Sequence, residues 1–338
     1  MNRFAFAQPR TFQEAATMLA DKRFSLPVLK GGGIDLVDHL KEGLTEPDVV
    51  INVRRLRPGW ATAGSPQITE SGGLIRIEAG TTLADIAASE IIRAKAPVLA
   101  QAVEYAASPQ VRNVATAAGN LLQRPRCWYY RHRQTECLKK GGMKCFAVDG
   151  ENKYHAIFGD GPCFIVHPSN LAPALTICDG VAHVIGGKRE QIPLAELYHL
   201  PARDVRSENT LEPGEVVTHL TCSPAPVSGF YAVKEKQSFD WPLVAASVWM
   251  RLDGARISEA RVCAGAVAPV PWLLPRVDGA LRGVSVDDDA GLRRACAVAV
   301  EGARPLADNK YKLALLPVAI RRAVLIAAGK PQATEVDA

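Results

Sequence analysis

Apolar and polar positions change period several times along the chain, and each change marks an element. Thr11-Phe12-Gln13-Glu14 has the spacing of a capping box, which predicts a helix from there to about residue 20. The apolar run Pro27-Val28-Leu29-Lys30 reads as a short strand entering Gly31-Gly32-Gly33-Ile34-Asp35-Leu36, with a helix beyond and a second strand at 48–53. Leu74-Ile75-Arg76-Ile77-Glu78-Ala79 alternates as a half-buried strand does. Thr82, with Asp85 three residues on, predicts a capped helix through about residue 93. Residues 97–107 are helical in period, Ser108-Pro109 breaks them, and 112–120 is a small-residue segment ending in Ala118-Gly119-Asn120.

Periodicity then fails from 123 to 163. It resumes with Phe164-Ile165-Val166, a helix over 169–177 and strands over 181–186 and 215–222. Beyond about residue 229, the segments 231–236, 244–252 and 257–267 read as three successive antiparallel strands. Helices follow at 290–303 and 311–328, the last with a kink expected at Pro317. This order predicts an α+β chain in three units, 1–55, 56–224 and 225–330, with the irregular loop 123–163 inside the second and a tail at 331–338. A structureless loop of that length inside a compact domain is usually functional or disordered, and its aromatic residues (Trp128, Tyr129, Tyr130, Phe146) argue against disorder.

Composition narrows the classes. At 338 residues the chain is too long for one small core. No apolar run approaches the roughly 20 residues that span a bilayer. The start, Met1-Asn2-Arg3-Phe4-Ala5-Phe6, has no apolar h-region, so no signal peptide is expected. The expected compartment is the cytoplasm, or the periplasm by co-export with a signal-bearing partner. The net charge is only +5, and no long basic block points to nucleic acid. The densest basic region (Arg124, Arg126, Arg131, His132, Arg133, Lys139, Lys140, Lys144) surrounds cysteines, which favours a local role.

Three motifs carry candidate chemistry. Three consecutive glycines after a strand remove every Cβ, so peptide N–H groups can converge on an anion; a tight turn is the alternative reading. Thr116-Ala117-Ala118-Gly119-Asn120 permits close approach of a ligand, or simply ends a helix. Cys127, Cys137, Cys145 and Cys163, with gaps of 9, 7 and 17 residues, suit tetrahedral zinc or a [4Fe–4S] cluster. The lack of a C-x-x-C pair argues against common zinc ribbons. Cys178, Cys222, Cys263 and Cys296 are scattered in apolar stretches and read as buried small side chains. His155 and His167 lie near the cysteine set and read first as hydrogen-bonded structural histidines; Trp128-Tyr129-Tyr130 reads as loop core. No Ser-His-Asp set, catalytic carboxylate pair or H-E-x-x-H string is present.

In order and spacing, several strings together resemble the medium, FAD-binding subunits of the xanthine dehydrogenase, or molybdenum hydroxylase, family. They are Gly31-Gly32-Gly33-Ile34-Asp35-Leu36, Ser108-Pro109-Gln110-Val111-Arg112-Asn113, Ala118-Gly119-Asn120, His167-Pro168-Ser169-Asn170-Leu171-Ala172-Pro173-Ala174-Leu175, and Asp308-Asn309-Lys310-Tyr311-Lys312. The resemblance implies a two-subdomain FAD-binding fold of the vanillyl-alcohol-oxidase (PCMH-like) type. A C-terminal three-stranded sheet with helices, like that of CO dehydrogenase flavoproteins, would follow. It implies FAD contacts at Leu29, Lys30, Gly31, Gly32, Gly33, Ile34, Asp35, Ser108, Thr116, Ala118, Gly119, Asn120, Asn170 and Lys234. Lys234 would place a cation near the reduced flavin ring. Ala118 stands where a second glycine is usual, Ile34 where Thr or Ser is common, and Asn170 where Asp is frequent.

The cysteine loop is similar to the one in the aldehyde oxidoreductase and 4-hydroxybenzoyl-CoA reductase subunits. That similarity implies an additional [4Fe–4S] cluster held by Cys127, Cys137, Cys145 and Cys163, with Cys178 as a distant competitor for the fourth place. The implied partners are a molybdenum-cofactor large subunit, a small subunit with [2Fe–2S] clusters, and an external electron acceptor or donor. The contrasting expectations are a stand-alone FAD oxidoreductase of the same fold and a zinc-stabilised scaffold subunit.

Overall fold

The computed structural model describes residues 2–57, 67–236 and 239–330, so the expected tail at 331–338 lies outside the described residues. Three parallel strands open the chain, ordered Ala5–Ala7, Val49–Asn52, Pro27–Lys30 across the sheet. The central strand reads Val-Val-Ile-Asn and buries its first three residues, as a parallel strand covered on both faces does. Ala5–Ala7 is too short and too exposed to show a period, and its pairing is non-local. Helix Phe12–Leu19 buries Phe12, Ala15 and Ala16 against Ile51 and Val216. Thr11 Oγ1 accepts the Glu14 amide at 3.0 Å, but the Glu14 carboxylate takes the Arg10 amide at 2.7 Å instead of closing the box on Thr11.

A five-stranded sheet follows, antiparallel at every pairing: Ile68–Ser71, Leu74–Glu78, Val216–Cys222, Val181–Ile185, Gln191–Pro193. Helices Pro97–Glu104 and Leu171–Ile177 join Ile75, Ile77 and Leu220 in its core. The single helix expected from Thr82 to about 93 is two, Leu83–Ala88 and Glu90–Lys95. Ser89 is extended (φ −65°, ψ 121°), and its hydroxyl accepts the Ile92 amide at 3.3 Å, so it starts a new helix. The small-residue segment also folds into two short helices, Pro109–Arg112 and Ala117–Leu121, capped by Ser108 and Thr116.

The last sheet has four antiparallel strands where three were expected: Trp272–Leu273, Arg256–Gly265, Val244–Asp253, Ser228–Val233. The extra strand has two residues and follows Pro271, too little for any period to register. Helix Lys312–Ala327 lies on this sheet and buries Leu316, Ala319, Ile320, Ala323 and Val324, the i, i+3, i+4, i+7, i+8 stripe of an amphipathic helix. Helix Asp289–Ala297 passes into a 3₁₀ turn at Val298–Val300, and helix Pro275–Leu281 had no sequence signal. Among the described residues, no helix is long and apolar enough to cross a membrane.

Candidate functional site

The strand Pro27–Lys30 delivers the glycine triplet to the start of helix Ile34–Lys41. Gly33 caps that helix at φ +85°, a left-handed conformation that glycine adopts without steric cost. Among the described residues, the peptide N–H groups of Gly31, Gly32 and Gly33 have no hydrogen-bond acceptor. The glycines also serve a second need. A Cβ on Gly32 would stand 2.1 Å from the Val114 carbonyl oxygen, and one on Gly31 would stand 2.8 Å from Thr116 Oγ1. The triplet is therefore packed backbone to backbone against 114–116. That segment is itself strapped to 79–83 by Leu83 N to Ala115 O (3.0 Å), Ala117 N to Thr81 O (2.8 Å) and Ala118 N to Ala79 O (3.2 Å).

A cavity of about 630 Å³ opens where these loops meet, within the size range of cofactor sites. Of the sequence-predicted residues, Leu29, Gly31, Gly32, Gly33, Ile34, Asp35, Thr116, Ala118, Gly119, Asn120 and Asn170 line it. Lys30, Ser108 and Lys234 are not among the residues that line it. Lys30 Nζ donates to the Gly31 carbonyl at 3.2 Å, and burial together with the Arg54 charge lowers its pKa. The Ser108 hydroxyl accepts the Val111 amide at 3.3 Å. Lys234 Nζ donates to the carbonyl of Tyr105 and lies 5.1 Å from that ring's centroid, and Tyr105 does line the cavity. Sequence reasoning missed Arg54, Tyr105, Arg126 and Trp241, which also line it. Arg126 sits 4.8 Å over the Trp241 ring, so the third unit closes one side of a cavity built by the first two. Asn120 lines the cavity, and its Oδ1 accepts from Ser169 Oγ at 2.6 Å.

Residues 123–163 are ordered but nearly without regular structure, apart from helix Trp128–Arg131 and a 3₁₀ turn at Leu138–Lys140. Cys127, Cys137, Cys145 and Cys163 line one small cavity of about 10 Å³, together with Tyr129, Tyr130 and His155. Cys178, the competitor for the fourth place, is elsewhere, in the hydrophobic core near Cys222. The hydrogen bond between the Cys163 and Cys145 thiols lowers the pKa of Cys145 and pushes Cys163 up. Burial raises the Cys127 thiol to about 11. Among the described residues, no three His, Cys, Asp or Glu side chains are arranged to hold a metal ion. The aromatic run forms part of this wall and is more than loop filling, since Tyr129 and Tyr130 face the cavity. His167 does not line it, and its Nδ1 accepts the Ser169 amide at 3.4 Å.

The two cavities are tied together by charge. Asp35, on the first turn of helix Ile34–Lys41, accepts the Arg124 amide at 2.9 Å and faces Arg131 (2.7 Å) and Arg126 (3.2 Å). Burial alone would raise its carboxyl, but Arg131, the Arg124 amide and Arg126 outweigh that and hold it below the usual carboxylate value. Glu208 likewise pairs with both Lys139 (2.5 Å), on the cysteine cavity, and Arg124 (3.1 Å), on the larger one. Tyr130 lines the cysteine cavity and bonds His39 at 3.0 Å, and His39 lines the larger one. His39 Nδ1 faces the Asp35 carbonyl at 2.9 Å and must carry the proton, so Nε2 accepts from the Tyr130 hydroxyl.

This fold and cavity define a flavin-binding class, and comparison with known proteins places the chain within it. A family model for the FAD binding domain in molybdopterin dehydrogenase matches residues 2–222, and one for the CO dehydrogenase flavoprotein C-terminal domain matches 229–327. The chain belongs to the FAD-binding subunits of the molybdopterin dehydrogenases, the molybdenum hydroxylase family. It is 33% identical over 322 residues to the aldehyde oxidoreductase FAD-binding subunit PaoB of Escherichia coli K12, covering 93% of this chain and 95% of that one. It is 24% identical to the carbon monoxide dehydrogenase medium chain of Afipia carboxidovorans, with 95% of each covered. The solved carbon monoxide dehydrogenase of Hydrogenophaga pseudoflava shares the fold, with a TM-score of 0.72 at 21% identity over 97% of this chain and 98% of that one.

Proposed function

We propose that this chain is the electron-transfer subunit of a heterotrimeric molybdenum hydroxylase-type oxidoreductase. In this reading it passes electrons between the [2Fe–2S] clusters of a small partner subunit and an external acceptor or donor, and a molybdenum-cofactor large subunit handles the organic substrate. The observation that carries the reading is the larger cavity, where the glycine triplet and Thr116–Asn120 meet. Backbone N–H groups that have no acceptor among the described residues, at a helix N-terminus and with Arg54 and Arg126 on the wall, suit a pyrophosphate. FAD, when bound, supplies the redox chemistry. The protein binds it, shapes its electrostatics and limits access of water. Lys234, bonded to the Tyr105 carbonyl, would supply a cation beside the cavity, and the Trp241 indole forms part of its wall.

We infer further that Cys127, Cys137, Cys145 and Cys163 hold an additional [4Fe–4S] cluster. Support comes from four thiols on one cavity wall. A single zinc ion needs its ligands to converge on one point, whereas in a cluster each cysteine binds its own iron and the sulfurs stand apart. Lys139, on the wall of the same cavity, would offset part of the charge of a thiolate-ligated cluster.

The test is flavin, iron and zinc analysis of the anaerobically purified complex, with EPR of the reduced protein. The expected result is one FAD per copy of this chain and a [4Fe–4S] signal beside the partner's [2Fe–2S] signals. Stoichiometric zinc and no flavin would favour a scaffold instead. Substrate turnover by this chain alone would favour a stand-alone oxidoreductase.

A further inference from the structure

Asp308-Asn309-Lys310-Tyr311-Lys312 lines neither cavity, yet its groups converge on residues 152–156 of the cysteine loop. Asn309 Nδ2 donates to the carbonyls of His155 (3.1 Å) and Ala156 (3.2 Å). The Tyr311 hydroxyl donates to the Lys153 carbonyl at 2.8 Å. Lys312, fully buried, donates to the Tyr154 carbonyl at 3.4 Å and to Ala266 at 2.7 Å. Asp308 and Asn152 exchange a reciprocal pair of bonds at 2.8 and 3.3 Å. A buried lysine is costly unless it is satisfied. Here it helps fix a stretch of irregular backbone that no strand or helix holds.

The residue presented by that stretch is His155, 2% exposed. Its Nε2 lies 3.2 Å from Cys127 Sγ, and its ring packs edge-on to Trp128 at 5.4 Å. Its Nδ1 is buried and has no hydrogen-bond partner. The nearest backbone acceptor, the Asn152 carbonyl, already takes the His155 peptide N–H at 2.9 Å. A proton on Nδ1 would leave a buried donor unmet, whereas a proton on Nε2 points at sulfur.

We propose that the 308–312 string positions His155 as a hydrogen-bond donor to the Cys127 thiolate, making His155 a positioning residue that tunes the bound cluster. This rests on the reading of the four cysteines as cluster ligands. Hydrogen bonds to ligating sulfur are among the terms that set a cluster's potential. Withdrawing one leaves more charge on the sulfur and makes reduction harder.

The experiment is an EPR-monitored redox titration of the intact complex carrying His155→Leu, His155→Gln or Asn309→Ala, with iron and FAD measured on each. His155→Leu should keep FAD and move the [4Fe–4S] midpoint to lower potential. His155→Gln, which retains an N–H donor, should restore much of it, and Asn309→Ala should move it less in the same direction. Should His155→Leu lose iron, retention by His155→Gln supports the donor role, and loss in both overturns it. An unchanged midpoint in His155→Leu with iron intact also overturns it. Absence of the [4Fe–4S] signal from the wild-type complex would instead overturn the cluster reading on which this rests.

Discussion

The larger cavity and the cysteine cavity meet through His39 and Tyr130, yet they are held by opposite means. The larger is a backbone construction. Gly31 and Gly32 pack on 114–116 with no room for a Cβ, and peptide bonds strap that segment to 79–83. The smaller is held by side chains: Arg131 and Arg126 on Asp35, Lys139 and Arg124 on Glu208, and Asn309 and Lys312 on loop carbonyls. The contrast teaches where each site is vulnerable. The first fails when atoms are added, and the second fails when charges or ligands are removed.

The largest effect should follow from adding atoms to the first. Gly32→Val places its Cβ on the Val114 carbonyl and parts the two loops, so FAD retention should fall to near zero on gel filtration of the variant complex. The reason is loss of the loop-on-loop contact as much as obstruction of a phosphate. Normal flavin occupancy would mean that the triplet is only a turn.

The next effect concerns the buried charges. Lys139 is 1% and Glu208 9% exposed at the side chain, and removing one partner of such a pair typically costs about 3–5 kcal/mol. Glu208→Gln should lower the unfolding free energy obtained from urea denaturation by an amount of that order and loosen both cavities together. A change under about 1 kcal/mol, the worth of an exposed pair, would show that Glu208 is not the joint.

A smaller effect should appear in acid. Asp35 and Glu208 are both held below their ordinary values by neighbouring cations against the pull of burial. An acid whose folded pKa is depressed contributes stability above its unfolded value, about 4, and loses it as pH falls through the folded value. Stability should therefore decline below about pH 4, and Asp35→Asn should flatten part of that slope in thermal melts taken across the range. An identical slope in the variant would remove Asp35 from the account.

The first construction was largely legible in the sequence because its demands are local. Three glycines after a strand and Thr116–Asn120 before a helix cap are patterns within a few residues. What escaped was tertiary. Arg54, Tyr105, Arg126 and Trp241 come from separate segments, and only folding brings them to one wall. The cysteine loop shows the same limit. Its basic residues were visible, but their acidic partners lie 69 to 96 residues away in the chain. Residues 308–312 stood out as a string without a role, since their targets are carbonyls some 154 residues distant. The missed strands, Ala5–Ala7 and Trp272–Leu273, are too short to carry a period.

The most direct test of two separate sites, one for flavin and one for a cluster, is the cofactor content of the Cys137→Ser complex purified without oxygen. Cys137 lines the smaller cavity and not the larger, and the Asp35 contacts of Arg124, Arg126 and Arg131 are independent of its thiol. Iron should fall by about four atoms per copy of this chain, one cluster's worth, with FAD occupancy unchanged. Unchanged iron, or iron and flavin lost together, would contradict the account.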